Sequence, residues 1–509
     1  MSERYLLGVD LGTTAVKVGL FDDQGRKVAV DTQEHQLITS GGGVIEQTPD
    51  AYWEAFRKGL KNVLQESGVE KEKVLALSFS SQGETMVFLD EHQQPLHPFF
   101  VWMDTRAQEE AEMINSWFSA DEILQRTGQG PIISLYPACK VLWMKRHHPE
   151  IFKRINKMLL LDDYFLFRMG GYFCAEGSNW CTSYMWDIGT KQWWPEMLEK
   201  LEIRPEQLPE MKESATLLGK IYPEIAEELG LSPELQLVVG GLDQSCGTIG
   251  VGNVEPGIFS ENTGAVLAVC TKVDHTVLDP GGELPCFYDT VPGMYMLHTG
   301  AKGGIMLRWL RDNLCLEEME EEKRTGKDAY TIMDEMAEKI PAGSDGLILL
   351  PNFAGAGAPD TDQYARGLLY GLNLEHTKAH IIRAFMEAIA MNMCRMVDYS
   401  EKVTGQKVTE VRTMGGAAKS PLWCQIKADI LGRDVITMKN TQDAGALGAA
   451  LLAGTGIGIW PSLKEIAKKA AQPDRVYKPN PANRAAYDKA LRRYEMLTNA
   501  VKGLTKELC

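Results

Sequence analysis

The sequence predicts an α/β protein built from two related halves, and three observations carry that prediction. Short apolar runs alternate with amphipathic helical stretches along most of the chain, the pattern of strands packed against helices. Those runs repeatedly end in acidic or small polar residues: Asp10, Gln82 to Glu84, Asp104, Asp243 and Gly415-Gly416. In α/β domains ligands gather at the carboxyl ends of strands. The third observation is an echo. Tyr5 to Asp22 reads as strand, Gly-Thr-Thr turn, strand, and Gly257 to Leu267 repeats strand, polar turn with threonine and glycine, strand, as two related halves would.

The chain has 509 residues, enough for at least two large domains at roughly 100–200 residues each. They are expected at 1–250 and 251–509. A composition of 44% hydrophobic and 24% charged residues is that of a globular protein. The net charge of −16 repels polyanions, which argues against a nucleic-acid partner. Ten cysteines include no CxxC pair, so zinc and thiol-redox patterns are absent. Several lie in apolar segments, and the set reads as reduced and cytoplasmic. Met-Ser-Glu-Arg before the first strand does not read as a signal peptide. No apolar run reaches the ~18 residues of a membrane span.

The elements follow in order. Tyr5 to Leu11 is the first strand, Gly12-Thr13-Thr14 the turn, and a second alternating run carries Lys17 and ends at Asp22. Glycine allows close backbone approach, and threonine hydroxyls with turn amides suit phosphate oxygens. Asp10 at the strand end suits magnesium held through water. Taken alone, the stretch is equally an ordinary hairpin. Ser40 to Gly43 is a polar link. Thr48-Pro49-Asp50 opens a helix with Trp53, Phe56, Leu60, Val63 and Leu64 on one face, stopped by Gly68. Val74 to Phe79 is a strand leading to Gln82 and Glu84, and Phe99 to Met103 a strand leading to Asp104. The region 109–235 is richer in helix and tryptophan, with a short strand at Met158 to Leu161 and surface connections over 205–235. Leu235 to Gly240 is a strand that runs into Gly241-Leu242-Asp243-Gln244.

In the second half, strands are expected at Met294 to Leu297, Leu347 to Leu350 and Val411 to Met414. Helices are expected at Gly304 to Asn313, Lys378 to Glu401, Pro421 to Leu431 and Ala444 to Ala453, with one more near the end. Glu317 to Glu338 reads as a charged, solvated helical face.

Asp243 is the leading catalytic candidate. A strand and two glycines fix it, and a positioned carboxylate can take the proton of an acceptor hydroxyl. It also sits where it would cap the helix near Gln244. Gln82, Glu84 and Asp104 suit sugar hydroxyls. Arg106 can pair with Asp104, and Trp102 suits either a sugar face or the core. Gly415-Gly416 would let a flat ring approach the backbone, or would serve as a packing turn. The small residues of Asp443 to Ala450 favour tight helix packing. No GxxxxGK[ST] motif occurs, no GxGxxG follows a strand to open a helix, and HExxH, GxSxG and HRD motifs are absent.

Taken together these landmarks resemble the FGGY carbohydrate kinases. The likeness runs from Leu7 to about Gly454 through Gly8 to Thr14, Lys140 to Trp143, Gly241-Leu242-Asp243, Gly257 to Gly264, Gly415-Gly416-Ala417 and Ala446 to Ala450. Two family signatures are nearly present, around Leu135 to Met144 and from Gly367 to Glu387, with Leu135 and Phe385 as departures. The resemblance implies two actin-like, ribonuclease H-like ATPase domains with ATP and sugar in the cleft between them. It implies Asp243 as the base, Gly12, Thr13, Thr14 and Lys17 at the phosphates, and Thr263 and Gly264 as a second phosphate loop. Gly304, Gly416 and Ser420 would lie near the nucleotide, and Asp10 and Asp243 at Mg2+. Gln82, Glu84, Asp104, Asp243 and Gln244 occupy sugar-pocket positions. Asp104-Thr105-Arg106 after Val101-Trp102 looks like the xylulokinase branch. Ser81 to Thr85 and Asp243-Gln244 look like the glycerol kinase branch, although Gly83 replaces the arginine and Leu135 the tyrosine used there. Xylulokinases usually carry Met-His where Gly83-Glu84 stands. The resulting expectation is a kinase for a ketopentose or similar polyol, xylulose first, with no membrane partner. Homodimers are common among relatives.

Overall fold

The computed structural model describes residues 4–439, 441–502 and 504–508. The chain forms two compact units. One comprises Met1–Glu255, Val273–Met296 and Gln442–Ala471, and the other Pro256–Lys272, Leu297–Thr441 and Gln472–Cys509. Two later segments thus return to the first unit, beyond a single boundary near 250. The physical reason for the second return is the helix Ala444–Gly456, whose Ala, Leu and Gly residues are buried almost throughout. It packs on the strand Tyr5–Leu11 and the helix Asp243–Gly250. A Cβ on Gly448 would lie 2.0 Å from the Cys246 carbonyl oxygen, and one on Gly8 1.8 Å from that of Ala446. Only glycine permits so close an approach.

In the first unit the main sheet runs Leu217–Lys220, Gln236–Val238, Val74–Ser81, Tyr5–Leu11, Ala15–Asp22, Lys27–Glu34, with Gly241–Leu242 also on Val74–Ser81. Tyr5–Leu11 is antiparallel to its hairpin partner and parallel to Val74–Ser81. The register sets Asp10 opposite Ser80 and Lys17, and Gly241 opposite Ser80. Three strands therefore end together, delivering Asp10, Gln82 and Asp243 to one edge. Behind the sheet, Pro49–Ser67 is capped by Thr48, which accepts the Ala51 amide, and stopped by left-handed Gly68. Its buried face, Trp53, Phe56, Leu60 and Val63, joins the core.

The second unit repeats the device. Ile258–Thr263 pairs antiparallel with Val266–Val273 and parallel with Glu410–Met414, with Asn262 opposite Met414. Thr263-Gly264 and Gly415-Gly416 therefore leave the sheet side by side. Gly415 has φ +78°, and a Cβ there would lie 2.8 Å from the Thr263 carbonyl oxygen. The long helix Lys378–Thr404 anchors this unit's core through Ile382, Phe385, Met386, Ile389 and Met393.

Some expectations change in detail. The link at Ser40 to Gly43 is the turn of a small hairpin, Ile38–Ser40 with Val44–Gln47. The strand at Phe99 stops at Phe100. Glu317 to Glu338 is two helices, Leu316–Thr325 and Ala329–Glu338. The second buries Ala329, Ile332, Met333 and Ala337, so it is not a solvated face throughout. Among the described residues nine cysteines are buried thiols outside any disulfide, and no helix is long and apolar enough to cross a membrane; Cys509 lies outside them.

Candidate active site

The first unit gathers three acids with little compensating charge. Asp10, Glu84 and Asp243 each keep part of their surface accessible. Burial raises the Asp10 carboxyl above its ordinary range, against the Ser80 hydroxyl, which donates at 2.7 Å, and the Lys17 ammonium. Burial pushes Asp243 up to about 8, reinforced by the charges of Asp10 and Glu84 and opposed by the Gln244 amide. Glu84 rises to about 7, again by burial, with the Thr182 hydroxyl opposing. Desolvation produces this pattern at all three, and like charge adds to it at Asp243. Asp243 opens the helix Asp243–Gly250, and its Oδ1 accepts the Gln244 amide at 2.6 Å. The capping and site readings thus hold together in one residue. Gln244 is half-buried beside it.

Around the acids, Gln82 Nε2 donates to the Tyr52 hydroxyl at 2.7 Å, while its buried Oε1 has no protein partner among the described residues. Glu84 adopts φ +58°, a costly backbone for a residue with a Cβ and one found at functional positions. Tyr136 stands close enough for the Glu84 charge to raise its hydroxyl pKa further, after burial. It packs against Tyr184 with ring centroids 4.5 Å apart. In the hairpin turn the Gly12 amide bonds the Ala15 carbonyl at 3.0 Å, the Thr14 carbonyl accepts the His35 amide, and Thr13 Oγ1 accepts Trp102 Nε1 at 2.8 Å. Lys17 is tied down, donating to the Gln442 carbonyl and lying 3.4 Å from Asp443.

Asp104 departs from its expected place among the sugar ligands. It is fully buried, and its oxygens accept from Arg106 Nε and Nη2, Lys140 Nζ and the Arg106 and Ile45 amides. Burial alone would raise its carboxyl, but these donors hold it below its ordinary value. A carboxylate offers about four lone-pair directions, so none is left for a sugar hydroxyl. Asp104 belongs to the scaffold.

Among the described residues no cluster of three or more His, Cys, Asp or Glu forms a ready metal cage. Mg2+ does not need one, since it is bound through one or two carboxylates, waters and substrate phosphates. The donor chemistry of Asp10 and Asp243 fits it, because a divalent cation would offset the burial that raises both and the acid charges that raise Asp243 further.

The second unit holds a cavity of about 550 Å3 lined by Thr263, Gly264, Gly304, Gly416, Ser420 and Asp334, among others. The first five were singled out by the sequence, and the fold brings them together. Gly304 opens the helix Gly304–Leu314, and its amide donates to the Gly264 carbonyl at 2.8 Å. The hairpin turn therefore abuts the start of this helix and caps it, the Gly264 and Ala265 carbonyls accepting the Gly304 and Ile305 amides. The Thr263 hydroxyl donates to Glu261, which is paired with Lys427 at 2.6 Å; both charged side chains are fully buried.

Models of the two FGGY carbohydrate kinase domains match the chain, the N-terminal domain over residues 5–250 and the C-terminal domain over 263–457. The chain belongs to the FGGY family of carbohydrate kinases. It is a phosphotransferase, and kinases of this family use ATP. Autoinducer-2 kinase of Salmonella paratyphi A is 29% identical over 508 residues, covering 97% of this chain and 94% of that protein. Xylulose kinase of Bacillus subtilis is 28% identical over 506 residues, covering 99% of each. Gluconokinase of the same organism is 28% identical over 448 residues, covering 88% and 86%. The ligand-bound structure of xylulose kinase from Lactobacillus acidophilus aligns with a TM-score of 0.89 at 29% identity, over 99% of this chain and all of that one. The FGGY kinase is therefore α/β with the actin-like ATPase fold of sugar kinases.

Sequence reasoning missed Tyr136, Thr182 and Asp334. Tyr136 follows Leu135, at the edge of a family signature. Thr182 and Asp334 lie far in sequence from Glu84 and Ser420, and nothing local marks them.

Proposed function

We propose that this kinase transfers the γ-phosphoryl group of ATP to a terminal hydroxyl of an uncharged ketose or polyol, a ketopentose such as D-xylulose first. The observation that carries the reading is the trio Asp10, Glu84 and Asp243, each displaced upward by burial and, for Asp243, by the other two acids. Once ionised, above the raised values of Glu84 and Asp243, such a pocket favours hydroxyls, which donate to carboxylates, and repels a sugar acid. That consideration speaks against gluconate, although a gluconokinase is among the relatives.

In this reading Asp243 receives the proton of the attacking hydroxyl, for which its ionised form is required. Glu84 and Gln82 Oε1 accept from other hydroxyls and orient the sugar. Asp10 and Asp243 would hold Mg2+, which when bound neutralises phosphate charge. The Gly12-Thr13-Thr14 turn and the Thr263-Gly264 turn offer phosphate seats on the two units. Transfer is then mostly positioning and charge stabilisation.

The test is ADP release coupled to NADH oxidation, measured with ketopentoses, ketohexoses, tetritols, glycerol and gluconate. A ketopentose should give the highest kcat/KM, and gluconate almost no signal. A preference for gluconate would overturn the uncharged-substrate reading. ATP consumption indifferent to every sugar would instead point to an ATPase or a silent sensor.

A further inference from the structure

The cavity of the second unit carries an acid that phosphate binding does not use. Asp334 sits half-buried on the helix Ala329–Glu338 and lines the cavity with Ser420 and Gly416. Its carboxylate accepts the Ser420 hydroxyl. Ser420 Oγ in turn accepts the Trp423 amide at 3.0 Å, capping the helix Pro421–Leu431. The cap fixes Ser420, and Ser420 fixes the carboxylate.

A carboxylate beside phosphates would be repelled. In the reading above the phosphates meet the Thr263-Gly264 turn, which lines the same cavity. Gly416 follows Gly415 out of the sheet next to Thr263, and a flat ring approaching it would share the cavity with Ser420 and Asp334, which line it too. Burial pushes the Asp334 carboxyl up to about 6, with Asp328 and Glu338 reinforcing and Ser420 opposing. At pH 8 it is ionised and only accepts. It rewards an exocyclic amino group and opposes a keto oxygen at the same place.

We propose that Asp334 selects the nucleobase by accepting a hydrogen bond from the exocyclic amino group of adenine, so that adenine nucleotides are preferred over 6-keto purine nucleotides. This rests on the reading of the cavity as the nucleotide site.

The experiment is titration calorimetry of the full chain at pH 8 with ADP, IDP and 2′-deoxy-ADP, so no sugar need be known. Wild type should bind ADP about tenfold or more tightly than IDP, the range of a hydrogen bond to a charged group. In Asp334→Asn, whose amide can also donate, the two should fall within roughly threefold, with retained IDP binding showing an intact site. Should that variant not fold, Ser420→Ala, which frees the carboxylate, should narrow the same ratio partially. An unchanged ADP/IDP ratio in the variants overturns the proposal alone. So does a change confined to ADP against 2′-deoxy-ADP, which would place Asp334 at the ribose. A wild type that binds neither ADP nor IDP would overturn the nucleotide reading together with the proposal.

Discussion

Asp243→Asn keeps the side-chain volume and the Oδ1 acceptor for the Gln244 amide, at 2.6 Å in the wild type, and removes only the ionisable group. Two effects follow, of opposite sign. Loss of a general base costs about 10²–10⁴-fold in turnover, with nucleotide binding retained. Stability moves the other way. The Asp243 carboxyl sits at about 8 in the folded protein against an ordinary 3.8. Its folded pKa is raised, so its contribution is fully present below the unfolded value and is lost as pH rises towards and through the folded one. The advantage of asparagine therefore grows from about pH 4 and levels off above about pH 8. A quarter of that displacement is already about 1.4 kcal/mol. That corresponds to a melting-temperature gain of a few degrees, at about 2–4 °C per kcal/mol in domains of 150–250 residues. The assays are coupled ADP release at saturating ketose and calorimetric melts of the ligand-free protein at pH 5 and 8.5. A variant within tenfold of wild-type kcat, or one that gains no stability at pH 8.5 relative to pH 5, would refute the reasoning about a crowded, catalytic carboxylate.

Other outcomes are equally specific. Glu84→Gln should raise the ketose KM by about tenfold or more, because a charge-assisted hydrogen bond is weakened, and should narrow the discrimination against gluconate; the ratio of the two kcat/KM values reads it. Asp104→Asn weakens the charge partner of Arg106 and Lys140, so it should lower the melting temperature clearly while leaving the ketose KM within about threefold once the protein is folded. Lys427→Met breaks a fully buried ion pair with Glu261 and should cost about 3–5 kcal/mol in urea melts, with Lys427→Met/Glu261→Leu recovering much of it.

The parts of the fold and the site legible in the sequence are those where local chemistry decides. Thr48, Pro49 and Gly68 spelled out a helix with both ends, and the structure places the ends there. The strand-end residues Asp10, Gln82 and Asp243 were visible because apolar runs stop at them, and parallel pairing of Tyr5–Leu11, Val74–Ser81 and Gly241–Leu242 then sets them at one edge. What was not legible depends on partners far along the chain. Asp104 looks like a ligand until Lys140, thirty-six positions later, fills its remaining capacity. The helix Ala329–Glu338 looks solvated by charge count, yet its buried stripe and Asp334 face inward because of what packs against it. The return of Gln442–Ala471 to the first unit follows from close glycine contacts that no local pattern announces.

The most direct test of the central claim is 31P NMR of a reaction containing the protein, ATP, Mg2+ and D-xylulose or the best ketose of the panel. One sugar phosphomonoester should form for each ADP, with no inorganic phosphate beyond the enzyme-free rate, and both signals should be lost in Asp243→Asn. Inorganic phosphate as the main product, or a phosphomonoester formed undiminished by Asp243→Asn, would contradict the central claim.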